Sequence, residues 1–288
     1  MYKRTGKQRT LSLWGRITAI LLAAMLFFTA YGPLFTVSAE AASANSWMII
    51  LGTNHGGTKS RIKNYKNVVL DVQYYYPHEI KALKAGGKKI YSYMSIGSLE
   101  TYRPYYKRFK KYSLGRYANW GDERWIDVSK KPWQDFIVNE LVASVRRKGA
   151  DGLWLDNADV YYHYHRESIY KGLLSIITRI YKKGIPIYIN GGDEFVTRLI
   201  NSGKARMIKG VFQEEVVSSI ISYSGNRFGV QNKSDRGYYE AYLRRAKRAG
   251  LNACVLEYTK SASLKKAIIA FCNKNKYGYY ISSDVHLR

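Results

Sequence analysis

Cysteine and proline are scarce in this chain, and acid is outnumbered by base. Cys254 and Cys272 are the two cysteines among 288 residues, so no disulfide scaffold holds the fold and no cysteine zinc site is available. In an oxidising compartment the two can pair if their Cα atoms lie within reach, but two unpaired core thiols is the favoured expectation. Five prolines and 24 glycines exclude a collagen-like or linker-dominated chain. There is no Gly-x-Ser-x-Gly nucleophile turn and no Gly-Lys-Ser/Thr phosphate loop. The histidines are His55, His78, His163, His165 and His286. His163 and His165 form the one close pair, in a tyrosine-rich stretch without a third spaced ligand, so neither a metal nor a cofactor is expected. What is abundant is apolar and aromatic: 46% of residues are hydrophobic and 27 are tyrosine, enough for a sizeable core in one large domain.

Long uncharged runs are confined to the start. Residues 1–16 hold Lys3, Arg4, Lys7, Arg9 and Arg16 with no acid, and Ile17 to Ala39 is uncharged. Pro33 and the small-residue patterns Val37-Ser38-Ala39 and Ala39-Glu40-Ala41 follow the apolar middle. Residues 1–41 thus read as a secretory signal peptide, with an uncleaved membrane anchor through residues 17–39 as the alternative. Either address puts residues 42–288 outside the cytoplasm.

The formal net charge is +26, from 47 basic and 21 acidic residues. Nucleic-acid binding is the obvious use of such a surplus. The basic residues are instead scattered over helix candidates, as in Arg146-Arg147-Lys148, Lys182-Lys183 and Arg244-Arg245. An exported basic protein, expected to be a monomer, is better matched to an anionic cell envelope through salt-sensitive attraction, with no nucleic-acid partner.

From Trp47 onward one unit recurs: a short apolar run, a polar or glycine tip, then an amphipathic basic stretch. The runs are 48–52, 68–72, 89–95, 152–156, 185–190, 208–214, 253–258 and 278–282. Helix candidates are 77–85, 132–148, 167–183, 194–202, 237–249 and 261–275, with Pro77 and Pro132 suited to first turns. Eight alternating units predict an α/β fold, a (β/α)8 TIM barrel, and about 245 residues fit the ~250 typical of it. An open doubly wound sheet is disfavoured because no glycine-rich dinucleotide fingerprint follows the first run. Residues 98–131 exceed a simple connection and read as an insertion between strands 3 and 4, over the barrel mouth.

Active sites of such barrels gather at the C-terminal strand ends. Those ends offer Asp71, Ser95, Asp156, Asn190, Glu214, Tyr258 and Asp284. Asp71 and Asp284 read first as caps or positioning groups. Asp156 and Glu214 each end an otherwise apolar strand, and alternation puts Trp154 with Asp156, Tyr188 with Asn190 and Phe212 with Glu214 on one face. The same alternation turns Glu215 away. Two carboxylates set against aromatic walls are what glycosidic cleavage requires, one protonating the departing oxygen and the other attacking carbon or activating water. Candidate walls are Tyr74–Tyr76, Tyr91, Tyr93, Trp120, Trp125 and Tyr161–Tyr164.

Several motifs, in order, sharpen this picture: VVLDV (68–72), YMSIGSLETYR (93–103), Trp-Gly-Asp-Glu-Arg-Trp-Ile-Asp (120–127) and ADGLWLDNADVY (150–161), with GVFQEE (210–215) and VLEYT (255–259). Through them the chain resembles the endo-α-1,4-polygalactosaminidase glycoside hydrolases from about Trp47 to the C-terminus. The resemblance implies a secreted, cofactor-free barrel that cleaves α-linked galactosamine or N-acetylgalactosamine polysaccharide. Asp156 then corresponds to the nucleophile and Glu214 to the acid/base, with retention of configuration as the preferred route. Asp71, Tyr93, Arg103, Asp159 and Asn190 match positions shaping the sugar site; Glu100 and the strand-end Tyr258 complete the candidate substrate-binding set. One departure stands out: the family often has Glu directly after Ser-Ile-Gly, whereas this chain has Ser98. The competing class is a non-catalytic carbohydrate- or cell-wall-binding TIM barrel.

Overall fold

The structure is a computed structural model that describes residues 47–52 and 57–288. The leader read at residues 1–41, and His55, lie outside the described residues. Among those described, no helix is long and apolar enough to cross a membrane.

Eight strands form one parallel sheet, in the order β1 (Trp47–Ile50), β2 (Asn67–Leu70), β3 (Lys89–Ser95), β7 (Gly152–Asp156), β8 (Ile187–Asn190), β9 (Gly210–Glu214), β12 (Asn252–Tyr258) and β13 (Gly278–Ser282). These are the eight apolar runs read from sequence. At the seam, Leu51 N–H donates to the Leu287 carbonyl at 2.8 Å, which brings the C-terminal segment back to the end of β1. The result is a nearly closed (β/α)8 barrel.

Helices cover the outside because each presents one apolar stripe to the sheet. They are α1 (Pro77–Leu83), α2 (Lys131–Asp135), α3 (Val142–Arg147), α4 (Glu167–Tyr181), α5 (Asp193–Asn201), α6 (Lys233–Arg248) and α7 (Ala262–Asn275). Proline opens α1 and α2, where a missing N–H is harmless. A π-helical segment, Phe136–Leu141, joins α2 to α3, a detail that hydrophobic periodicity does not reveal.

Inside, aromatic rings fill the barrel below its mouth. Trp47 packs against Tyr91, Tyr188 and Phe212 at centroid separations of 5.2, 4.9 and 4.9 Å, and Trp154 lies 5.8 Å from Phe212. Bulky inward residues make a packed plug rather than a pore, so polar groups above it face a floor and not a channel. Cys254 and Cys272 are both free and buried.

Two additions sit above the plug. Residues between β3 and β7 form an antiparallel sheet of β4 (Ser98–Glu100), β6 (Glu123–Ile126) and β5 (Ser113–Arg116), in that order. After β9 the chain makes a hairpin of β10 (Ser218–Ser222) and β11 (Arg227–Val230), which the sequence reading does not contain. That hairpin is tied to the barrel by Glu257. Its carboxylate accepts from the backbone N–H groups of Val216, Val217 and Ser218 at 3.0, 2.9 and 2.7 Å.

Candidate active site

The mouth of the barrel holds a cavity of about 810 Å³, lined by strand ends, the three-stranded sheet, the hairpin and the C-terminal segment. Asp156 ends β7, Asn190 ends β8 and Glu214 ends β9, so three adjacent strands deliver them. One group joins them. The Asn190 amide Nδ2 donates to Asp156 Oδ1 at 3.0 Å and to Glu214 Oε1 at 2.6 Å. The two carboxylate oxygens therefore lie no farther apart than those bonds laid end to end. Tyr258, on β12, donates its hydroxyl to Glu214 Oε2 at 2.7 Å. Asn157 N–H donates to Asp156 Oδ1 at 3.0 Å, and Asp156 Oδ2 has no donor among the described residues.

Burial pushes Asp156 well above the usual carboxylate range, and the charge of Glu214 pushes it further. Burial also raises Glu214, against the lowering effect of its bonds from Asn190 and Tyr258. Two carboxylates this close and this dry retain a proton between them at a pH where isolated carboxylates have lost theirs. Tyr258 is raised by burial and by Glu214, so its hydroxyl stays a donor.

Both carboxylates are followed by a residue with left-handed backbone: Asn157 at φ 65° and Glu215 at φ 56°. That conformation is uncommon outside glycine and marks sites where the surroundings over-determine the chain. Here it ends the strand alternation. Alternation from sequence turns Glu215 away from Asp156's face; the reversed φ instead brings Glu215 to the cavity lining, where its carboxylate accepts from Ile220 N–H of the hairpin. Burial raises Glu215 to about 7.

Asp159 also lines the cavity and accepts from Gly192 N–H at 3.0 Å. Burial lifts it to about 6. Gly191, at φ 62°, leaves room for it: a Cβ there would lie 2.7 Å from Asp159 Oδ2. Asp71 lines the cavity while accepting from Gln73 N–H at 3.2 Å, so it caps a short turn and faces the site together. Asp284 does positioning work, accepting from His286 N–H at 3.1 Å and pairing with Arg288 at 3.1 Å.

Of the candidate substrate-binding set, Asp71, Tyr93, Asp159, Asn190 and Tyr258 reach the cavity. Glu100 and Arg103 lie behind its wall. Arg103 Nε and Nη2 grip the two oxygens of Glu100 at 2.6 and 2.8 Å, and Nη1 meets Asp71 Oδ2 at 2.7 Å. Tyr93 and Tyr102 hydroxyls donate to Glu100 Oε1 at 3.3 and 2.9 Å. This buried triad holds Asp71, Tyr93 and Tyr102 in place from behind.

Among the expected aromatic walls, Tyr74, Tyr93 and Trp120 line the cavity. Tyr75 and Tyr91 are core, Trp125 stacks on Tyr117 at 4.3 Å, and Tyr161 packs on His165 and Tyr170 without lining the cavity. Tyr102, Tyr117 and Tyr223 line it instead, and no strand-end or wall pattern in the sequence marks them. Glu123, inside the 120–127 motif, is likewise unmarked by strand alternation. Glu123 pairs across strands with Glu100, accepts from Ser98 Oγ at 2.8 Å, and is raised by burial to about 7. Ser98, directly after Ser-Ile-Gly, thus bonds a glutamate from another strand.

Seven carboxylates line the cavity, Asp71, Asp122, Glu123, Asp156, Asp159, Glu214 and Glu215, against one arginine, Arg288. Among the described residues no group of three or more His, Cys, Asp or Glu side chains is arranged to hold a metal ion.

Known structures with this fold include the glycoside hydrolase domain of PelA from Pseudomonas aeruginosa, at 17% identity and TM-score 0.72, covering 84% of this chain and 95% of that one. Aspergillus fumigatus Ega3 in complex with galactosamine follows at 18% identity and TM-score 0.64, covering 85% and 93%. An α-galactosidase from Thermus thermophilus is similar at 9% identity and TM-score 0.53, covering 82% and 57%. A search of curated protein sequences finds no match. The model of glycoside-hydrolase family GH114, the endo-α-1,4-polygalactosaminidase family, matches residues 35–283, and the chain belongs to that family and is a glycoside hydrolase.

Proposed function

We propose that this enzyme cleaves an α-linked galactosamine or N-acetylgalactosamine polysaccharide with retention of configuration, using Asp156 as nucleophile and Glu214 as acid/base. The observation that carries the reading is the single Asn190 amide bonded to both carboxylates at 3.0 and 2.6 Å. Retaining pairs stand ~5–5.5 Å apart and inverting pairs ~6.5–9.5 Å, and an amide shared at these lengths supports the nearer spacing.

In the first step the one proton the pair retains sits on Glu214, which gives it to the departing glycosidic oxygen while the ionised Asp156 attacks the anomeric carbon through Oδ2. The products are a glycosyl ester on Asp156, a free sugar hydroxyl and an ionised Glu214. In the second step Glu214 takes a proton from water, whose oxygen displaces Asp156. Two inversions give net retention, and both carboxyls return to their starting states. Asn190 holds the pair in register, and the Tyr258 hydroxyl stabilises Glu214 when it carries charge.

The acidic cavity supports an amino sugar with free amines, because an ammonium group gains from seven nearby carboxylates what a neutral acetamide does not. Galactosamine is the ligand seen with Ega3, which shares the fold. Export through residues 1–41, and salt-sensitive attraction of the basic outer surface to an anionic envelope, belong to the same proposal.

The test is a panel of defined α- and β-linked amino-sugar oligosaccharides, with products followed by NMR. Internal cuts in the α-1,4-galactosamine series, with the α-anomer formed first, are expected. A first-formed β-anomer rejects retention, and cleavage confined to β-linked members rejects the substrate assignment.

A further inference from the structure

Beside the mouth, outside the catalytic cavity, lies a second cavity of about 390 Å³. It is bounded by the turn after β2 (Gln73, Tyr74), by Arg103 to Tyr105 after β4, and by the helical stretch preceding β7. We propose that this second cavity is a distal sugar subsite, which holds a unit of the same polysaccharide chain whose scissile bond lies between Asp156 and Glu214. The proposal rests on the function given above and extends it from the reacting bond to the length of chain recognised.

Three observations carry it. The first is continuity. Tyr74 lines both cavities and is half exposed, at 51%, so one ring forms the ridge between them. Its ring lies 5.5 Å from the Arg103 guanidinium, whose other bonds to Asp71 and Glu100 fix it, so the ridge is held from beneath.

The second is an unmet hydrogen bond. The Gln73 side-chain amide Nε2 is buried and has no partner, while Gln73 lines this cavity. A buried donor left unmade costs about 1–3 kcal/mol, and native proteins keep one where a ligand or water completes it.

The third is the chemistry of the walls. Tyr74, Tyr105 and Phe136 offer ring surface, and Tyr105 and Phe136 are in mutual contact at 4.6 Å. Gln73, Ser144 and Lys148 supply polar atoms at the edge. Apolar faces rimmed by a few donors match a sugar ring, which has C–H faces and a hydroxyl perimeter. Charge is nearly balanced here. Arg103 pairs with two carboxylates, Glu140 pairs with Arg108 at 2.7 Å, and the Lys148 ammonium, bonded to the Gln73 carbonyl at 2.6 Å, offsets the remaining negative charge. The site therefore selects for ring shape, unlike the acidic cavity. Phe136, Glu140 and Leu141 come from the π-helical segment, a local irregularity of the kind that recurs at functional sites.

The experiment compares an α-1,4-galactosamine polymer with the shortest oligosaccharide the enzyme cleaves. Ser144→Trp fills the cavity from a partly exposed helix position, and Tyr105→Ala removes one wall. Each is expected to lower kcat/KM on the polymer about tenfold while leaving the short substrate unchanged. Polymer binding to the Glu214→Gln protein, which needs no turnover, is expected to weaken by the same factor when Ser144→Trp is added. Equal losses on both substrates, or no loss on the polymer and undiminished binding in the Glu214→Gln background, overturn the subsite. Absence of any cleavage by the unmodified enzyme rejects the functional reading instead, and the binding comparison still decides the subsite.

Discussion

The mouth of the barrel and its outer shell carry opposite charge, and they are built by different means. The shell is basic because helix surfaces such as α6, with Arg244, Arg245, Lys247 and Arg248, place cations in water, where a charge is cheap to hold. The mouth is acidic, with seven carboxylates against one arginine, and several of them are buried. A buried carboxylate is costly, and burial accordingly raises Glu123, Asp159 and Glu215 to about 7, 6 and 7. Charge on the shell is therefore dispensable to the fold, whereas charge in the mouth is maintained against the fold's interest. Such retention is expected of groups that react or bind.

The sharpest break of this contrast is at the reacting pair. Glu214→Gln keeps the shape and the Tyr258 contact but removes the transferable proton. We expect kcat/KM on polysaccharide to fall by roughly 10²–10⁴, the range for a lost general acid. A substrate whose leaving group departs without protonation, such as a dinitrophenyl glycoside, should retain its first step and accumulate glycosyl-enzyme on Asp156, detectable by mass spectrometry. Intact polysaccharide turnover in Glu214→Gln would remove this residue from the mechanism.

The next break is behind the wall. Arg103 pairs with both Asp71 and Glu100 at 1–5% exposure, so Arg103→Leu leaves two buried carboxylates without their cation. A loss of about 3–5 kcal/mol in unfolding free energy is expected from urea titration. An unaltered midpoint would mean that Asp71 and Glu100 do not depend on Arg103 for their place in the fold.

How far the sequence foretells the mouth depends on how each group gets there. Asp156, Asn190 and Glu214 are legible because strand alternation places them, and alternation is local. The helices 77–85, 167–183 and 261–275 are legible from their apolar stripes and end residues, and the barrel follows from counting units. Glu123 is not legible as a lining residue, since only the folding back of β6 beside β4 carries it there. Glu215 is not legible because a single left-handed residue reverses an otherwise sound alternation. The β10–β11 hairpin has short, serine-rich strands, and its anchor, Glu257, sits about forty residues away along the chain. Arg103 and Glu100 are legible as important through family resemblance. Their position behind the wall needs the distances.

On the shell side, the contrast predicts a split in salt dependence. Retention on a phosphate-bearing wall polymer should be lost between 0.1 and 1 M salt, as the screening length falls from ~10 to ~3 Å. Hydrolysis of a short N-acetylated oligosaccharide, which carries no charge to screen, should change by less than about twofold over the same range. Parallel loss of both activities would merge the two surfaces into one binding face.

The smallest effect tests whether acid in the mouth opposes folding. Glu123 is ionised near pH 4.5 in the unfolded chain and near 7 in the folded one, because burial raises it. Between those values the folded state binds more protons than the unfolded state, so this group makes stability fall as pH rises through the window. Glu123→Gln removes that slope, and its amide oxygen can still accept from Ser98 Oγ. Above pH 7 the variant should be more stable by on the order of 2 kcal/mol, a gain of several degrees in Tm for a domain this size. Near pH 4 the two proteins should melt together. If the variant also loses kcat/KM on free-amine polymer while gaining Tm, the same carboxylate that weakens the fold is what holds the substrate's ammonium. If Tm rises with activity unchanged, Glu123 belongs to the wall and the work of attraction falls to Asp71, Asp159 and Glu215.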